Sequence, residues 1–271
     1  MSPEKSQTRV YDSLLSIERE RGGFFLLLVD PDRSSIAEVT PLVIAASECG
    51  VDALLIGTSF LLRPDFHASL GRIRELTTLP IVLFPGGAGQ VSPHADAILF
   101  MSLVSGRNPN YLIDEQVRGA PFVKAAGLEP IPTAYMLIES GSYSSVEYVS
   151  GTRPIPRTKG DLAAAHALAA EMLGMKMIYL EAGSGARLSV PPDMIRDVRR
   201  ETRLPIIVGG GIMSPDEAAG KINAGASGVV VGTRFESPQS AQLLAEFARA
   251  CHPRQHGAKY VTITAVEGEG R

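Results

Sequence analysis

Two glycine-rich turns near the C-terminal end of the chain each follow an apolar, strand-like run. The first is Gly209-Gly210-Gly211, and the second is Gly232-Thr233. Because glycine lacks a Cβ and tolerates positive φ, its backbone N–H can approach an anion closely. Turns of this kind after the last two strands form the phosphate-binding site of many (β/α)8 barrels. The two turns therefore predict that a phosphorylated ligand binds here.

A glutamate ends another strand-like run, and a third glycine-rich turn follows it. Strand alternation places Tyr179 and Glu181 on the same side of that strand, directly before Gly183-Ser184-Gly185. A carboxylate beside an anion-binding turn is costly unless it is paired or used. An ion pair with an arginine is the structural alternative. The functional interpretation is that Glu181 accepts hydrogen bonds from a polyol and acts as a general base toward a hydroxyl group.

An aspartate and two hydroxyl residues follow the first two strand-like runs. Asp30 ends the first run and would face the mouth of a barrel, or it could cap the next helix. A single hard carboxylate suits Mg²⁺, which keeps several waters and takes few protein ligands. Thr58 and Ser59 end the second run and could bind a phosphate or complete a metal shell. For either hydroxyl alone, helix capping is the simpler explanation.

Eight apolar runs rich in β-branched residues alternate with helix-like stretches. The runs are continuous rather than alternating, which is typical of strands buried on both faces. They predict an α/β fold, a TIM barrel, as a single domain over residues 1–271 with its core at about 20–250 and polar terminal extensions. The expected strands are Phe24–Val29, Ala53–Ile56, Ile81–Phe84, Ala97–Phe100, Ile131–Ile138, Met177–Leu180, Ile206–Val208 and Gly228–Val231. The expected helices are Ser35–Glu48, Pro64–Leu76, Pro109–Arg118, Lys159–Leu173, Pro192–Glu201, Pro215–Ala224 and Pro238–Ala250.

Two connections depart from the regular pattern. The segment from Pro85 to Ala95 is too short and too rich in glycine and proline for a crossover helix. The third barrel helix is therefore predicted to be missing, with an extended or loop segment in its place. The segment 139–158 is long, which is typical of a lid or substrate wall. Arg107 and Asn108 follow the fourth run and could bind phosphate, with a solvated loop as the alternative.

Net charge, cysteine spacing and the lack of long apolar runs restrict the possible binding partners and the cellular compartment of the protein. The formal net charge is −3, so nothing implies a surface for nucleic acid. Cys49 and Cys251 lie far apart and have neither disulfide-framework nor zinc-site spacing. No signal peptide and no run of about 20 apolar residues is visible. These features favour a cytoplasmic protein.

The motifs together resemble those of the geranylgeranylglyceryl phosphate synthases, the prenyltransferases of ether-lipid synthesis. The resemblance covers roughly residues 10–250, and the string from Tyr179 to Gly185 is its most specific part, whereas a triple glycine occurs in many phosphate-binding barrels. The other matching strings are Val29-Asp30-Pro31-Asp32, Ile56-Gly57-Thr58-Ser59, Phe84-Pro85-Gly86, Pro132-Thr133-Ala134-Tyr135, Val146-Glu147-Tyr148-Val149-Ser150, Pro154-Ile155-Pro156, Val208-Gly209-Gly210-Gly211 and Gly232-Thr233.

This resemblance implies a reaction and a set of roles. The 3-hydroxyl of sn-glycerol 1-phosphate attacks C1 of geranylgeranyl diphosphate, and diphosphate leaves. Asp30 and Ser59 would hold Mg²⁺, with Thr58 as the substitute for Ser59. Glu181 would orient and deprotonate the hydroxyl, with Tyr179 as the second catalytic residue. The implied glycerol phosphate site comprises Tyr179, Leu180, Glu181, Ala182, Gly183, Ser184, Gly185, Gly210, Gly211, Gly232 and Thr233.

The chain departs from one branch of that family. Leu28 stands where that branch has a lysine, so the sequence is similar to the other branch. This difference leaves undecided which residue supplies the positive charge that supports the phosphates, and Arg107 or Lys159 could contribute. The missing helix is expected to open a groove for the prenyl tail, near Phe84, Phe100 and Leu103.

Several alternatives stay open at the level of sequence. The prenyl chain could have another length, such as heptaprenyl. The barrel could instead be a phosphate-binding isomerase that uses Asp30 and Glu181 as an acid–base pair, or a non-catalytic binding protein. The alanine-rich stretch 163–170 could be core or an interface, and a homo-oligomer is expected. Transient contact with a membrane surface is plausible for an amphiphilic substrate, although no basic amphipathic anchor is visible.

Overall fold

The computed structural model describes residues 9–235 and 241–256. Within these ranges eight parallel strands pair in sequence order and close into a barrel. The predicted TIM barrel is thus confirmed, and most strand limits agree with the sequence to within one residue. The strands are β1 Phe24–Val29, β2 Ala53–Ile56, β3 Ile81–Leu83, β4 Ala97–Leu103, β5 Glu129–Leu137, β6 Met177–Glu181, β7 Ile206–Gly209 and β8 Gly228–Val231.

Helices connect most of the strands and cover the outside of the barrel. Local signals set their ends: Ser35 forms a capping box with Glu38, and Gly22 and Gly127 end their helices in the left-handed conformation. The helices are α1 Val10–Arg21, α2 Ile36–Glu48, α3 Phe66–Leu76, α4 Glu115–Ala126, α5 Ser145–Ser150, α6 Gly160–Met172, α7 Pro192–Glu201, α8 Pro215–Asn223 and α9 Ala241–Cys251.

Strand alternation divides the core in two. In β1, Phe24 and Leu26 point into the barrel, whereas Phe25 and Leu27 pack under the helices. All four side chains are buried, as expected for a strand covered on both faces. Ala163, Ala167 and Ala170 of the stretch 163–170 belong to the buried cluster between the barrel and its helices, so that part of the stretch is core.

The N-terminal helix α1, which the sequence did not indicate, closes the amino end of the barrel. Val10 and Leu14 join the apolar cluster inside the barrel. The N–H of Val10 donates to the Glu129 carboxylate at 2.6 Å, which ties α1 to the start of β5. Asp52 lies at the same end and accepts hydrogen bonds from Arg21 and His252. With this end closed, the strands offer access at their carboxyl ends.

No helix connects β3 and β4 within the described residues, as the sequence predicted. A single 3₁₀ turn, Ala88–Gln90, lies there instead. Gln90 is buried, and its amide group donates to the Thr58 carbonyl at 2.8 Å while accepting from the Thr58 N–H at 3.2 Å. The turn therefore braces the end of β2. Because no helix covers this sector, an open groove lies beside Val91 and Phe100.

The prediction of a helix over Pro109–Arg118 is wrong in the type of helix at the start and in the residue at which the helix ends. A π-helical turn, Asn110–Asp114, precedes α4, which continues through Gly119 and Pro121 to Ala126. Pro121 lies on an exposed face, where water can satisfy the carbonyl that loses its partner. The start of the predicted helix Pro238–Ala250 lies outside the described residues, as do the first eight residues and the tail beyond His256.

Candidate active site

A cavity of about 400 Å³ opens at the carboxyl ends of the strands. One end is polar and is formed by the loops after β1, β2, β6, β7 and β8. The other end is apolar and runs between the 3₁₀ turn and α4. One continuous space can therefore hold a charged group and a long apolar group together. The apolar end is lined by Phe84, Val91, Ile98, Phe100, Met101, Leu103, Tyr111 and Val123.

Glu181 lies at the polar end and is 5% exposed. One carboxylate oxygen accepts the Gly183 N–H at 2.6 Å. Burial raises the pKa of Glu181, and the Gly183 N–H and the adjacent Tyr179 hydroxyl oppose that rise. This Tyr179 hydroxyl is buried and has no well-aligned hydrogen-bond partner among the described residues. No arginine or lysine pairs with the carboxylate in the described chain, so the structural ion pair considered from the sequence is absent.

The glycines at the end of β7 make room for this carboxylate. A Cβ at Gly209 would stand 2.5 Å from the Tyr179 hydroxyl and 2.8 Å from a Glu181 oxygen. A Cβ at Gly210 would collide with the other Glu181 oxygen, and Gly210 also has φ +82°. Only glycine meets both demands without strain. The conformation of the β7 turn and the position of Glu181 therefore depend on each other.

Three glycine-rich turns surround the polar end and present backbone N–H groups. Gly183 and Gly185 follow β6, Gly210 and Gly211 follow β7, and Gly232 follows β8; all of them line the cavity. A short 3₁₀ helix, Thr233–Phe235, begins directly after β8. Turns after the last two strands together with a short extra helix make the phosphate-binding site of this fold.

Two residues of the expected glycerol phosphate set do not face the cavity. Leu180 and Ala182 are buried among the residues that pack between barrel and helices. Strand alternation explains this, because Tyr179 and Glu181 occupy the inward positions. Leu180 and Ala182 therefore support the loop and do not offer side chains to a ligand. The remaining nine members of the set line the cavity.

Lys221 holds the loop after β6 from behind. Its side chain reaches inward from α8, is 4% exposed, and donates to the Val190 carbonyl at 2.6 Å. Burial lowers the pKa of this lysine. The same loop packs on Gly211, where a Cβ would stand 3.0 Å from the Ala186 carbonyl and the Ser189 N–H. This role is not visible in the sequence, since the spacing of Lys221 in α8 is that of an ordinary helical lysine.

Asp30 lies on the cavity wall and is partly buried. Burial raises its pKa, and the Asp32 N–H, the Thr58 hydroxyl and the Arg33 guanidinium oppose that rise. Thr58 is buried beside Asp30, whereas Ser59 is exposed, and both line the cavity. Asp32 has a different role, because its carboxylate accepts the N–H groups of residues 62 and 63 and shapes the loop after β2.

Arg33 is a cavity residue that the sequence did not single out. Its guanidinium lies 3.5 Å from the Asp30 carboxylate and 3.4 Å from the Ser184 hydroxyl, so it spans the mouth between β1 and β6. The turn Asp30–Ser34, closed by two hydrogen bonds to the Asp30 carbonyl, directs it there. The cations expected from the sequence, Arg107 and Lys159, are exposed and do not line the cavity.

Three aromatic rings form the floor of the cavity between its two ends. The ring centroids of Phe84 and Tyr179 are 5.1 Å apart, and those of Tyr135 and Tyr179 are 5.3 Å apart. The long connection after β5 supplies one wall, since Val146 and Val149 of α5 line the cavity. Phe84, Phe100 and Leu103 all line the cavity, so a groove lies where the sequence predicted one.

The donor set at Asp30 fits a hard cation that keeps its own water. Within residues 9–235 and 241–256, no cluster of three or more histidine, cysteine or acidic side chains could cage a metal ion. One partly buried carboxylate beside two hydroxyl groups is instead the environment of Mg²⁺ bound chiefly through water and substrate phosphates. The residues present are therefore compatible with Mg²⁺ and not with a zinc-type site.

Fold and site together define a phosphate-binding (β/α)8 barrel whose cavity extends into an apolar groove. The chain belongs to the PcrB family, whose model matches residues 15–250. Geranylgeranylglyceryl phosphate synthase of Chitinophaga pinensis is 40% identical over 244 residues, 90% of this chain and 96% of that protein. The enzyme of the same name from Thermococcus kodakarensis is 44% identical over 239 residues, 88% of this chain and 92% of that protein.

A solved structure extends this similarity to the fold. It is (S)-3-O-geranylgeranylglyceryl phosphate synthase from Thermoplasma acidophilum in complex with the substrate sn-glycerol-1-phosphate. The TM-score is 0.86 at 31% sequence identity, and the match covers 91% of this chain and 100% of that chain.

Proposed function

We propose that this protein transfers a geranylgeranyl group from geranylgeranyl diphosphate to the 3-hydroxyl of sn-glycerol 1-phosphate and releases diphosphate. The observation that carries the proposal is the continuous cavity, which joins three glycine-rich turns and a buried glutamate to an apolar groove. Its relatives bear the name of this activity, and one of them binds sn-glycerol-1-phosphate.

The acceptor occupies the polar end in this proposal. Its phosphate lies on the turns at Gly210-Gly211 and Gly232-Thr233, where N–H groups and the short helix favour an anion. Its hydroxyl groups then reach the Glu181 carboxylate and the Tyr179 hydroxyl beside it. Placing both substrates in one mouth replaces an encounter in solution by a fixed geometry, which supplies a large part of the rate acceleration.

Glu181 is the base in this reaction. Its raised pKa makes the carboxylate a better proton acceptor than an exposed glutamate, while Gly183 fixes its direction. The proton of the 3-hydroxyl passes to Glu181 as the new C1–O bond forms and the bond to diphosphate breaks. An allylic carbon carries positive charge early in this process, and the rings of Phe84 and Tyr135 offer negative π faces close by.

The donor diphosphate lies at the opposite side of the mouth, beside Asp30 and Arg33. Asp30 with Ser59, or with Thr58 in its place, would hold Mg²⁺, which neutralises negative charge on the leaving diphosphate when it is bound. Thr58 has the more favourable position of the two hydroxyl residues because it is buried and its hydroxyl helps to lower the pKa of Asp30, whereas Ser59 is exposed. The Arg33 guanidinium supplies a permanent positive charge for the same phosphates.

A charged substitution in the apolar groove tests the donor site separately. We expect Phe100→Asp to raise the KM for geranylgeranyl diphosphate by about tenfold or more, because a carboxylate replaces apolar contacts with the tail. The KM for sn-glycerol 1-phosphate should stay within about twofold, since its site lies at the other end. Phe122→Asp on the exposed face of α4 is the control. Equal weakening of both substrates would show that the groove is wrongly placed.

Lys221 offers the converse test at the acceptor end. We expect Lys221→Met to raise the KM for sn-glycerol 1-phosphate by roughly tenfold, because the Val190 carbonyl loses a charged donor and the loop after β6 relaxes. The KM for the prenyl diphosphate should not change. Lys176→Met, at an exposed lysine before β6, is the control. An unchanged acceptor KM, measured by steady-state kinetics, would remove this role.

The proposal as a whole is tested by incubating the protein with sn-glycerol 1-phosphate, Mg²⁺ and labelled prenyl diphosphates of several lengths. We expect an ether product with the C20 donor. Product with heptaprenyl diphosphate alone would keep the chemistry and change the donor. An isomerase using Asp30 and Glu181 would need no apolar groove. Failure to form product with any of the donors would exclude the transferase.

Three further expectations about this protein remain predictions. Self-association is tested by analytical ultracentrifugation of the purified chain. A cytoplasmic location is tested by fractionation of cells. Contact with a membrane surface is expected at the mouth of the barrel, where the amphiphilic donor must enter.

A further inference from the structure

We propose that Gln90 is a positioning residue for the donor diphosphate, and that it acts by holding Thr58 in place. Gln90 is the last residue of the 3₁₀ turn Ala88–Gln90, which takes the place of the helix after β3. Its side chain is 3% exposed and does not line the cavity, so any effect on a substrate passes through a neighbouring residue. The inference rests on the proposed prenyl transfer, which places the donor diphosphate and Mg²⁺ beside Asp30 and Thr58.

Two buried hydrogen bonds join the side-chain amide of Gln90 to the backbone of Thr58. The amide oxygen accepts the Thr58 N–H at 3.2 Å, and the amide nitrogen donates to the Thr58 carbonyl at 2.8 Å. Thr58 lies beyond the end of β2, where the regular pairing with β3 has stopped. Backbone groups that are buried outside a sheet need other partners. The Gln90 amide is that partner, and it fixes both the position and the direction of the Thr58 backbone.

The 3₁₀ turn is itself held between the end of β2 and helix α4. A Cβ at Gly86 would stand 2.5 Å from the Thr58 carbonyl oxygen and 2.7 Å from the Ser59 carbonyl oxygen, so the loops after β2 and β3 are in direct contact. On the other side of the turn, the Glu115 carboxylate of α4 accepts the Ala88 N–H at 2.8 Å. The turn therefore connects one wall of the apolar groove with the polar end of the same donor site.

The Thr58 hydroxyl carries this restraint into the cavity. Thr58 and Asp30 both line the cavity. Burial raises the pKa of Asp30, and the Thr58 hydroxyl is one of the groups that oppose that rise. If the Thr58 backbone moved, its hydroxyl would leave the Asp30 carboxylate, and the oxygen atoms offered to Mg²⁺ and to the diphosphate would separate. Gln90 thus sets the affinity of the donor end without contacting the donor.

Calorimetric binding of inorganic diphosphate with Mg²⁺ tests this role, with sn-glycerol 1-phosphate present at saturation to fill the acceptor end. We expect Gln90→Met, which is similar in size but leaves both Thr58 backbone groups unpaired, to weaken diphosphate binding by about tenfold or more. Binding of sn-glycerol 1-phosphate alone should not change. Gln242→Met, at an exposed glutamine of α9, is the control and should bind diphosphate like the wild type. If Gln90→Met does not fold, Gln90→Asn, which keeps an amide, takes its place and should show a smaller loss.

A double-mutant cycle shows whether Gln90 acts through Thr58. Thr58→Val removes the hydroxyl and keeps the branched shape of the side chain. If Gln90 positions that hydroxyl, Gln90→Met should weaken diphosphate binding much less in the Thr58→Val protein than in the wild type. Fully additive effects of the two substitutions would overturn the proposal, and so would unchanged diphosphate binding by Gln90→Met. An equal loss of affinity for both ligands would also overturn it, because it would indicate a general loosening of the barrel.

Activity measurements separate this inference from the proposed function. In the prenyl transfer assay, Gln90→Met should raise the KM for the prenyl diphosphate and leave the KM for sn-glycerol 1-phosphate unchanged. A Gln90→Met protein that forms the ether product with the wild-type KM for the donor would keep the prenyl transfer and exclude the role of Gln90. Diphosphate binding that depends on Gln90 and Thr58, in a protein that forms no ether product, would keep this role and exclude the transfer.

Discussion

Replacing Glu181 by glutamine is expected to lower kcat by about 100- to 10,000-fold, because the side chain can no longer accept the proton of the attacking hydroxyl. Glutamine has the same size and can still accept the Gly183 N–H. Binding of sn-glycerol 1-phosphate, measured by calorimetry, should therefore change little. Single-turnover measurement of product formation checks the rate.

Glu139→Gln is the matched control for this variant. Glu139 also follows a barrel strand, but it is exposed and does not line the cavity. We expect this variant to keep the wild-type rate. A Glu181→Gln protein that formed product at full rate would show that another group, or water, takes the proton.

The raised pKa of Glu181 gives this prediction a pH dependence. A base must be ionised, so kcat/KM should fall as the pH falls through the raised pKa, at a higher pH than for an exposed glutamate. Because the folded-state pKa lies above the unfolded one, folding favours the protonated form. That stability is present at low pH and lost as the pH rises through the folded-state pKa. Glu181→Gln should therefore raise Tm at neutral pH, and the gain should vanish in acid.

Asp30→Asn is expected to lower kcat/KM for the prenyl diphosphate by about 100-fold, which is roughly 3 kcal/mol of transition-state stabilisation. Asp30 is the cavity carboxylate whose pKa the Thr58 hydroxyl helps to lower, and Thr58 and Ser59 line the same cavity. Loss of this carboxylate should also raise the Mg²⁺ concentration needed for half-maximal rate. Titration of activity with Mg²⁺ at a fixed donor concentration measures both effects.

Asp65→Asn serves as the control because Asp65 lies near the mouth, is exposed and does not line the cavity. It should leave the rate and the Mg²⁺ requirement unchanged. If Asp30→Asn changed only the stability of the fold, with normal kinetics in the folded fraction, Asp30 would have the capping role that the sequence allowed as an alternative.

Much of the barrel was predictable because each strand is a continuous apolar run. The absence of a helix between β3 and β4 was predictable for a different reason, namely that Pro85 to Ala95 contains too many glycine and proline residues. Glu181 and the glycine turns were also predictable. A glutamate that ends an apolar strand and a run of glycine residues are both visible in the sequence. These features depend on local sequence, and the structure agrees with them.

The roles of Arg33 and Lys221 were not predictable, because they depend on tertiary packing. Arg33 and Ser184 are 151 positions apart in the sequence, and they come together only because the strands close into a barrel that places the loops after β1 and β6 at one mouth. Lys221 reaches Val190 only when α8 packs beneath the loop after β6. The matching string also implied a place in the glycerol phosphate site for Leu180 and Ala182, whereas strand alternation turns their side chains away from the cavity.

A crystal structure of the protein with sn-glycerol 1-phosphate tests the assignment of Glu181 and the glycine turns most directly. We expect the phosphate on the backbone N–H groups of Gly210-Gly211 and Gly232-Thr233. We also expect the 3-hydroxyl oxygen within about 3 Å of a Glu181 carboxylate oxygen. A phosphate held instead beside Asp30 and Arg33, or a 3-hydroxyl directed away from Glu181, would contradict this assignment.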